Sequence, residues 1–223
     1  MIERFSLTAE IGQIMEKFDV RKVMDGYANR YNIAPTQSLS IVMNDRHNVR
    51  VVAESRWGLF PFWAKDSVNA DHERLGEKPF LHRMLKRQRC IVPCSGFYGQ
   101  KQFGQERDPR AMHTIVKGRP LFGVAGIYDC WRNASGQEVR AFTMLTAAAS
   151  GAMSTWQSRV PIVLDEEGVE AWLDSAVTEV TVLRRHLEGL DGHLMRSYPV
   201  TNQVRNDQYE SPDCIREIAI DYA

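Results

Sequence analysis

The chain has 223 residues, of which 43% are hydrophobic and 25% charged, and its 28 basic and 28 acidic side chains give a formal net charge of zero. This composition is typical of a globular protein with a substantial core and excludes disordered, collagen-like and supercharged chains. No apolar run approaches the roughly 18–20 residues that cross a bilayer, and the first residues do not resemble a signal peptide, so we expect one domain over residues 1–223 and no membrane association.

The first predicted element is a short amphipathic helix. Thr8 can cap it, and Ile11, Ile14, Met15 and Phe18 recur at the i, i+3, i+4, i+7 spacing of one buried stripe. Strands are then predicted at 39–43 and 49–53, joined by the polar hairpin connection 44–48. Further strands are predicted at residues 90–93, 112–116, 120–127, 139–146 and 160–164.

Two helices are predicted near the end of the chain. One follows Asp165 and buries Trp172, and the other begins near Val180 and ends at Gly189. Strands and helices do not alternate regularly, which argues against a doubly wound α/β fold. The sequence therefore predicts an α+β domain with a mainly antiparallel sheet or barrel-like core and peripheral helices.

The four cysteines do not indicate a metal site. Cys90 and Cys94, with His82 nearby, invite a zinc interpretation, but Cys130 and Cys214 stand alone and supply no partner pair. Buried structural thiols explain them better, because free cysteine is among the most buried residue types. So few cysteines also favour a reducing, cytoplasmic setting. We expect no metal and no cofactor.

The zero net charge hides two local imbalances. Residues 81–110 carry seven bases against two acids, a balance of +5, and residues 206–223 carry a balance of −4. A solvated basic helix is the ordinary explanation of such a basic run. A phosphate-facing stripe is the alternative, and it requires neighbouring aromatic rings and a groove.

An aromatic segment suggests base stacking. Residues 57–65 hold two Trp and two Phe around Gly and Pro, which interrupt regular structure and can leave rings exposed on a loop. Each such ring can stack an unpaired base, worth roughly 1–3 kcal/mol. The alternative is that Trp57 and Trp63 both lie in the core.

Nine segments in order resemble the SOS response-associated peptidase (SRAP) family, whose members sense abasic sites in single-stranded DNA. They are 4–5 (RF), 30–36 (RYNIAPT), 57–65 (WGLFPFWAK), 69–70 (NA), 89–98 (RCIVPCSGFY), 125–128 (AGIY), 142–146 (FTMLT), 159–164 (RVPIVL) and 198–200 (YPV). The resemblance covers nearly the whole chain and implies an SRAP-like fold.

The resemblance also implies a chemistry that this chain lacks the residues to perform. Family members remove the initiator Met to expose a cysteine, whose amine forms a Schiff base with the abasic aldehyde before its thiol closes a thiazolidine. Here Ile2 stands at that position, and a branched second residue normally leaves Met1 in place. The family glutamate and histidine are replaced by Gly99 and Gln157, while the family asparagine is kept as Asn69. We therefore expect the crosslinking machinery to be lost.

The binding half of the family pattern is retained. The residues that the resemblance assigns to the single-strand groove or its pocket are Arg4, Asn32, Trp63, Asn69, Thr146 and Arg159. Trp63 would stack on bases and the arginines would neutralise phosphates. Asn32 and Thr146 as turn or capping residues, and Trp63 as a core residue, are the structural alternatives. Asp71 reverses the sign of a family arginine that helps to hold phosphate.

Other residues of the chain are candidates for parts of this chemistry. Cys94 is a candidate nucleophile and His72 or Glu73 a candidate acid or base, but a thiol without an adjacent free amine makes no thiazolidine. A retained Met1 amine or a groove lysine can still form a Schiff base and cleave a strand weakly by β-elimination.

The sequence thus predicts a monomeric, cytoplasmic, SRAP-like protein that binds single-stranded DNA without catalysis. One alternative is an active abasic-site processing enzyme of the DNA damage response, with crosslinking, lyase or autopeptidase activity. A second is an interaction or regulatory protein that has abandoned DNA, which Asp71 and the acidic tail favour.

Overall fold

The computed structural model describes residues 2–61, 64, 66–103 and 108–219. Within these ranges the strands are β1 Arg4–Leu7, β2 Lys22–Val23, β3 Arg30–Ile33, β4 Ser38–Asn44, β5 Arg50–Trp57, β6 Asn69–Asp71, β7 Arg89–Cys94, β8 Gly96–Lys101, β9 Arg110–Val116, β10 Phe122–Arg132, β11 Glu138–Ala148, β12 Arg159–Pro161, β13 Val163–Leu164 and β14 Met195–Pro199. The α-helices are α1 Ile11–Lys17, α2 Pro79–Arg87, α3 Glu166–Leu173 and α4 Val180–Arg184. Short 3-10 helices occupy His72–Glu77, Gly151–Thr155, Gly192–Leu194, Asn202–Arg205 and Pro212–Ile215.

Five strands close into a barrel. β11, β10, β7, β4 and β5 pair in that order by antiparallel ladders, and β5 then pairs with β11 in parallel, with Trp57 opposite Phe142. Closure satisfies the backbone groups that an open sheet would leave at its edges. The prediction of an α+β fold with a mainly antiparallel, barrel-like core is confirmed.

The barrel interior is a continuous apolar core. Trp57 is fully buried and lies edge-on to Phe5, with ring centroids 5.1 Å apart, and parallel to Phe142 at 6.5 Å. Its indole nitrogen donates to the backbone carbonyl of Val68 at 2.9 Å, as a buried indole N–H requires. For Trp57 the core alternative is therefore correct, whereas Trp63 lies outside the described residues.

A second sheet brings the N-terminal strand to the barrel. Its strand order is β14, β9, β8, β1, β3, and β1 lies between β8 and β3 with Arg4 opposite Tyr98. Phe5 on β1 belongs to the same buried cluster as the barrel residues. Local sequence patterns did not predict β1, β3, β8 or β14.

A buried histidine crosslinks this second sheet. His113 on β9 places Nε2 2.9 Å from the Ser6 hydroxyl and Nδ1 2.9 Å from the Tyr198 hydroxyl. A Cβ on Gly96 would lie 2.3 Å from Nε2, so the ring occupies space that only glycine leaves open there. Burial lowers the pKa of His113 to about 3. The imidazole is therefore neutral at physiological pH and acts as a hydrogen-bonding element of the core.

Most predicted elements form, with three local corrections. α4 ends at Arg184 and not at Gly189, because the backbone N–H groups of residues 185–187 donate to carbonyl oxygens three residues back, as in turns. The first helix begins after Glu10 and not after Thr8, because the Glu10 backbone N–H is satisfied by the Gln13 side chain at 2.8 Å, as at a helix N-cap. The predicted strand 160–164 divides into β12, which pairs with β11, and β13, which pairs with β10. Ile162 lies at the crossing and donates to Leu145.

The cations of the basic run 81–110 differ in their exposure to solvent. Arg89 is buried and donates to backbone carbonyls at the ends of α2 and α3, including those of Leu85 at 2.9 Å and Lys86 at 2.8 Å. Arg83, Lys86 and Arg87 remain exposed on α2. Exposure of these three cations fits both explanations of the basic run, whereas Arg89 has a structural role.

Three of the four cysteines are buried, as predicted. Cys90, Cys94 and Cys214 are buried, Cys130 is partly buried, and none forms a disulfide. None of the helices within the described ranges is long and apolar enough to cross a membrane.

Candidate functional site

The candidate site is built around β6, which continues the line of β5 along β11. β5 pairs with β11 at Ala141 and Phe142, and β6 pairs with the same strand at residues 144–146, where Asp71 lies opposite Thr146. The parallel pairing with β11 ends with β5 and resumes at β6. This register fixes the positions of Asn69 and Asp71 relative to the barrel.

Asn69 holds the N-terminal segment. Its Nδ2 donates to the Ile2 carbonyl oxygen at 2.6 Å. Its Oδ1 is buried and has no hydrogen-bond partner among the described residues. Because buried side-chain acceptors are nearly always paired, this oxygen is a candidate acceptor for a ligand hydroxyl or amine.

Ile2, at the position that the family resemblance assigns to the nucleophile, is a core residue. Its side chain is fully buried and belongs to the main hydrophobic cluster. An aliphatic side chain has neither thiol nor general acid or base, so it contributes packing to this site and no covalent chemistry. Met1 lies outside the described residues.

Arg159 is enclosed by a polar network. Its Nε donates to the Thr146 hydroxyl at 3.0 Å, and its Nη2 donates to the Thr146 carbonyl oxygen at 2.6 Å and to Asp71 Oδ1 at 2.7 Å. The side chains of Arg159 and Asp71 are only 27% and 22% exposed. Asp71 thus supplies internally the anion that this guanidinium would otherwise take from a ligand.

His72 and Glu73 follow Asp71 at the start of the 3-10 helix His72–Glu77. Burial lowers the pKa of His72, and Arg159 and Arg184 act in the same direction, whereas Glu73 and Asp71 oppose it. Glu73 is exposed and its carboxylate lies 4.0 Å from the imidazole. His72 is thus a titratable group beside the Asp71–Arg159 pair.

Gly99 and Gln157 are in contact. Gln157 is 5% exposed, and its Nε2 donates to the Arg159 carbonyl oxygen at 3.1 Å. A Cβ on Gly99 would lie 2.6 Å from Gln157 Oε1 and 2.8 Å from Trp156 Cζ3. The volume that a side chain at position 99 would need is therefore filled. The sequence reasoning did not include Trp156 in the site.

Cys94 is poorly suited to act as a nucleophile. Its thiol is buried and donates to the Gly96 carbonyl oxygen at 3.2 Å, and burial raises its pKa well above the ordinary value. A neutral, enclosed thiol is a weak nucleophile.

Arg4 and Asn32 form a second group with the C-terminal segment. Arg4 donates to Asn32 Oδ1 at 3.2 Å and forms an ion pair with Asp207. The Asn32 amide, fully buried on β3, donates to the carbonyl oxygens of Asn206 at 3.0 Å and Tyr209 at 2.9 Å. Both side chains are thus engaged by the polypeptide.

A further ion pair extends this arrangement. Arg30 lies 2.8 Å from a Glu210 oxygen, and the Tyr31 backbone N–H donates to the other oxygen of that carboxylate. The acidic tail identified from composition therefore neutralises arginines of β1 and β3. The negative charge of this tail was visible in the sequence, but its pairing with Arg4 and Arg30 was not predicted.

The predicted residues thus separate into two groups. An unbroken series of contacts and strand neighbours joins one group: Ile2, Asn69, Asp71, Thr146, Arg159, Gln157 and Gly99. Arg4 and Asn32 form the other group, and Arg4 lies opposite Tyr98, the neighbour of Gly99. Trp63 is outside the described residues. Within those residues no three His, Cys, Asp or Glu side chains are placed to hold a metal ion.

The fold and this site define a member of a known family, and comparisons identify it. The family described as SOS response associated peptidase (SRAP) matches residues 1–207. The chain is 33% identical to the abasic site processing protein YoqW of Bacillus subtilis, over 96% of this chain and 99% of that protein. It is 28% identical to the abasic site processing protein HMCES of Gallus gallus, over 87% of this chain and 68% of that protein.

The fold itself is shared with a solved structure. A crystal structure of a protein from Bacteroides thetaiotaomicron superposes with a TM-score of 0.81 at 22% identity, covering 97% of this chain and 99% of that chain. The chain therefore belongs to the SRAP family, and the resemblance drawn from its nine sequence segments is confirmed.

Proposed function

We propose that this protein binds single-stranded DNA, including strands with abasic sites, and forms no covalent bond with them. Its relatives YoqW and HMCES are named abasic site processing proteins. The proposal keeps Arg4, Asn32, Trp63, Asn69, Thr146 and Arg159 as predicted DNA contacts.

The proposal is carried by the residues at positions 2, 99 and 157, which belong to the same group of contacting residues as Asn69 and supply no reactive groups. The position of the family nucleophile holds a fully buried isoleucine whose carbonyl is bound by Asn69 at 2.6 Å. The position of the family glutamate holds Gly99, whose side-chain space is filled by Gln157 and Trp156. Gln157 can donate and accept hydrogen bonds but does not exchange protons near neutral pH. These features support a binding site without a nucleophile or an acid–base pair.

The electrostatics support modest affinity. Arg159 can bind a phosphate only in competition with Asp71, which lies 2.7 Å from it. Arg4 is similarly paired with Asp207. Each phosphate contact therefore costs a carboxylate contact, so net phosphate binding at these two arginines is weak.

A crosslinking assay tests the absence of chemistry. The protein is incubated with a single strand containing one abasic site and, in parallel, with a lesion-free strand of the same sequence, then heated and resolved on a denaturing gel. We expect no heat-stable adduct and no cleavage above a no-protein control. A borohydride arm traps any Schiff base from an amine. An adduct or a trapped species confined to the abasic strand would overturn the noncatalytic proposal.

A restoration variant tests whether only the chemistry is missing. Ile2→Cys, Gly99→Glu and Gln157→His together return the family residues, and Cys at position 2 permits removal of Met1. Because Trp156 also fills the space at position 99, we expect little crosslinking from the triple variant until Trp156 is reduced to Leu. Efficient crosslinking by the triple variant alone would contradict the filled-site argument.

A second candidate function is favoured by the paired arginines. Arg4, Arg30 and Arg159 each contact a carboxylate, from Asp207, Glu210 and Asp71 respectively. A protein that has abandoned DNA for interaction or regulation would tolerate this neutralisation. Fluorescence anisotropy with a labelled lesion-free strand separates the two: undetectable binding at low salt supports the second candidate, and binding that weakens steeply with salt supports the first.

We further propose that the chain acts as one domain over residues 1–223, as a monomer and in the cytoplasm. The main buried cluster takes residues from both sheets, Phe5 from one and Phe142 from the other. The unpaired cysteines suit a reducing compartment. Light scattering after size-exclusion chromatography tests the monomer: a mass near 25.5 kDa is expected, and a mass near twice that value contradicts it.

A further inference from the structure

One face of the protein carries cations that have no ion-pair partner among the described residues. Arg83, Lys86 and Arg87 are exposed on α2, and Arg184 and Arg185 are exposed at the end of α4. No carboxylate of the described residues lies within ion-pair distance of any of these five side chains. This differs from Arg4, Arg30 and Arg159, and a phosphate can bind here without displacing a carboxylate.

A groove separates α2 from the start of α4. It has a volume of about 420 Å³ and is lined by His82, Lys86 and Arg87 on one side and by residues 178–181 on the other. Residues 79–87 and 178–186 together carry five cationic side chains and one carboxylate, Glu179, a balance of +4. The two threonines of 178–181 add hydroxyl donors. The lining thus suits a chain of phosphates.

An exposed aromatic ring lies on the same helix. Phe80 is 44% exposed near the start of α2. Arg83 and Arg87 follow it at i+3 and i+7, so the three side chains form one stripe along the helix surface. A solvent-exposed ring in line with arginines is the pairing that single-strand binding surfaces use to stack bases and hold phosphates. Phe80 and the groove thus supply the aromatic ring and the groove that a phosphate-facing interpretation of the basic run 81–110 requires.

The groove adjoins the candidate site. The 3-10 helix His72–Glu77 follows Asp71 directly and leads into α2. Arg184 of α4 packs against it, with Nη2 3.2 Å from the position of a Cβ on Gly76. A strand bound at Asn69 and Asp71 therefore reaches Arg184 by passing along one short helix.

We infer that the groove between α2 and α4 is a second binding surface for single-stranded DNA, which holds the phosphates of the strand flanking the Asn69 site while Phe80 stacks on a base. This inference rests on the proposed function, because the occupant is the same strand. It assigns most of the salt-dependent affinity to Lys86, Arg87 and their neighbours instead of to the paired arginines.

Neutralising the groove tests the inference. Binding of a fluorescein-labelled oligo(dT) strand of about 20 nucleotides is measured by anisotropy from low to moderate salt for wild type and for Lys86→Gln/Arg87→Gln. Loss of two phosphate contacts should lower the slope of log K against log salt by about 1.4 and weaken binding about 25-fold at 100 mM salt.

A matched control separates this surface from overall charge. Lys17→Gln/Lys22→Gln removes the same two charges from exposed positions that do not line the groove. We expect its affinity to remain within about twofold of wild type. Equal losses in the two double variants, or no loss in the groove variant, would overturn the inference while leaving the proposed function intact. Failure of the wild type to bind at low salt would instead refute the proposed function.

Phe80 provides an independent readout. Phe80→Leu keeps an apolar side chain but removes the ring, and we expect a three- to tenfold loss of affinity with an unchanged salt slope, because stacking releases no counterions. Circular dichroism and the thermal midpoint check that each variant folds as the wild type does. An unchanged affinity for Phe80→Leu would remove stacking from the inference.

Discussion

Replacement of Gly99 by alanine tests the filled-site argument through stability. The added Cβ would lie 2.6 Å from Gln157 Oε1 and 2.8 Å from Trp156 Cζ3, whereas ordinary contacts begin near 3.4 Å. The Gln157 amide can rotate away, but the Trp156 ring must move as a body. Overpacking of this kind costs about 1–3 kcal/mol, and the better strand propensity of alanine returns about 0.5–1 kcal/mol. We expect a net loss of about 1 kcal/mol in the free energy of unfolding.

Urea denaturation of a double-mutant cycle measures the contact itself. Gln157→Ala removes the nearest clashing atom and also loses its 3.1 Å hydrogen bond to the Arg159 carbonyl. The double variant Gly99→Ala/Gln157→Ala should be more stable than the sum of the single effects by at least about 0.5 kcal/mol. Gly12→Ala is the matched control, because Gly12 lies exposed in α1 with nothing within 4 Å of its would-be Cβ.

The control should be stabilised by up to about 1 kcal/mol, since alanine is favoured over glycine inside a helix. If Gly99→Ala gave the same gain as Gly12→Ala, and if the cycle showed no coupling to Gln157, the space at position 99 would be open. A glutamate at position 99 would then fit, contrary to the proposal.

Three further predictions concern other parts of the protein. Because the pKa of His113 is about 3 in the folded protein, His113 is protonated in the unfolded chain but not in the folded chain as the pH falls from about 6.5 towards 3. The free energy of unfolding measured in urea should therefore be roughly 2 kcal/mol lower at pH 5 than at pH 7. His113→Gln should flatten this pH dependence. Asp71→Asn should free Arg159 and strengthen oligo(dT) binding about fivefold at 100 mM salt with a salt slope larger by about 0.7, and unchanged anisotropy curves would contradict a masked arginine. Ile2→Ala should lower the free energy of unfolding by about 2–5 kcal/mol, because its side chain is fully buried, and a loss below 1 kcal/mol would mean that the N-terminal segment is not anchored.

The elements that sequence patterns predicted are those determined by local signals. β4 and β5 flank a polar turn, and the antiparallel pair β10 and β11 is joined by residues 133–137, where Asn133 accepts from the Ser135 and Gln137 backbone amides. β1 and β8 gave no such signal, because a four-residue strand and a Gly-Phe-Tyr-Gly segment become strands only through their partners. Parallel closure of β5 on β11 is likewise a long-range pairing that no local pattern specifies.

The sequence predicted which positions form the candidate site, but not which side chains fill the space between them. Family resemblance located Asn69, Gly99 and Gln157, and the structure joins them by contacts. The family resemblance gave no indication that Trp156 fills the space beside Gly99. The shape of a packed site depends on side-chain directions, which a sequence motif does not contain. The pairing of Arg4 with Asp207 was hidden for a related reason: opposite charges at the two ends of a sequence indicate a contact only after the fold brings them together.

The zero net charge can now be related to positions in the fold. Asp71 and Asp207 lie against Arg159 and Arg4 of the predicted groove, and Glu210 lies against Arg30. The cations of α2 and α4 have no such partners among the described residues. A paired arginine that exchanges a carboxylate for a phosphate releases few counterions, so it adds little to the salt slope, while each unpaired cation adds about 0.7 on a single strand. A slope near zero would therefore assign binding to the Asn69 site alone, and a slope of about 3 would require at least four unpaired cations. Among the described residues, the α2–α4 face places five such cations on two neighbouring helices.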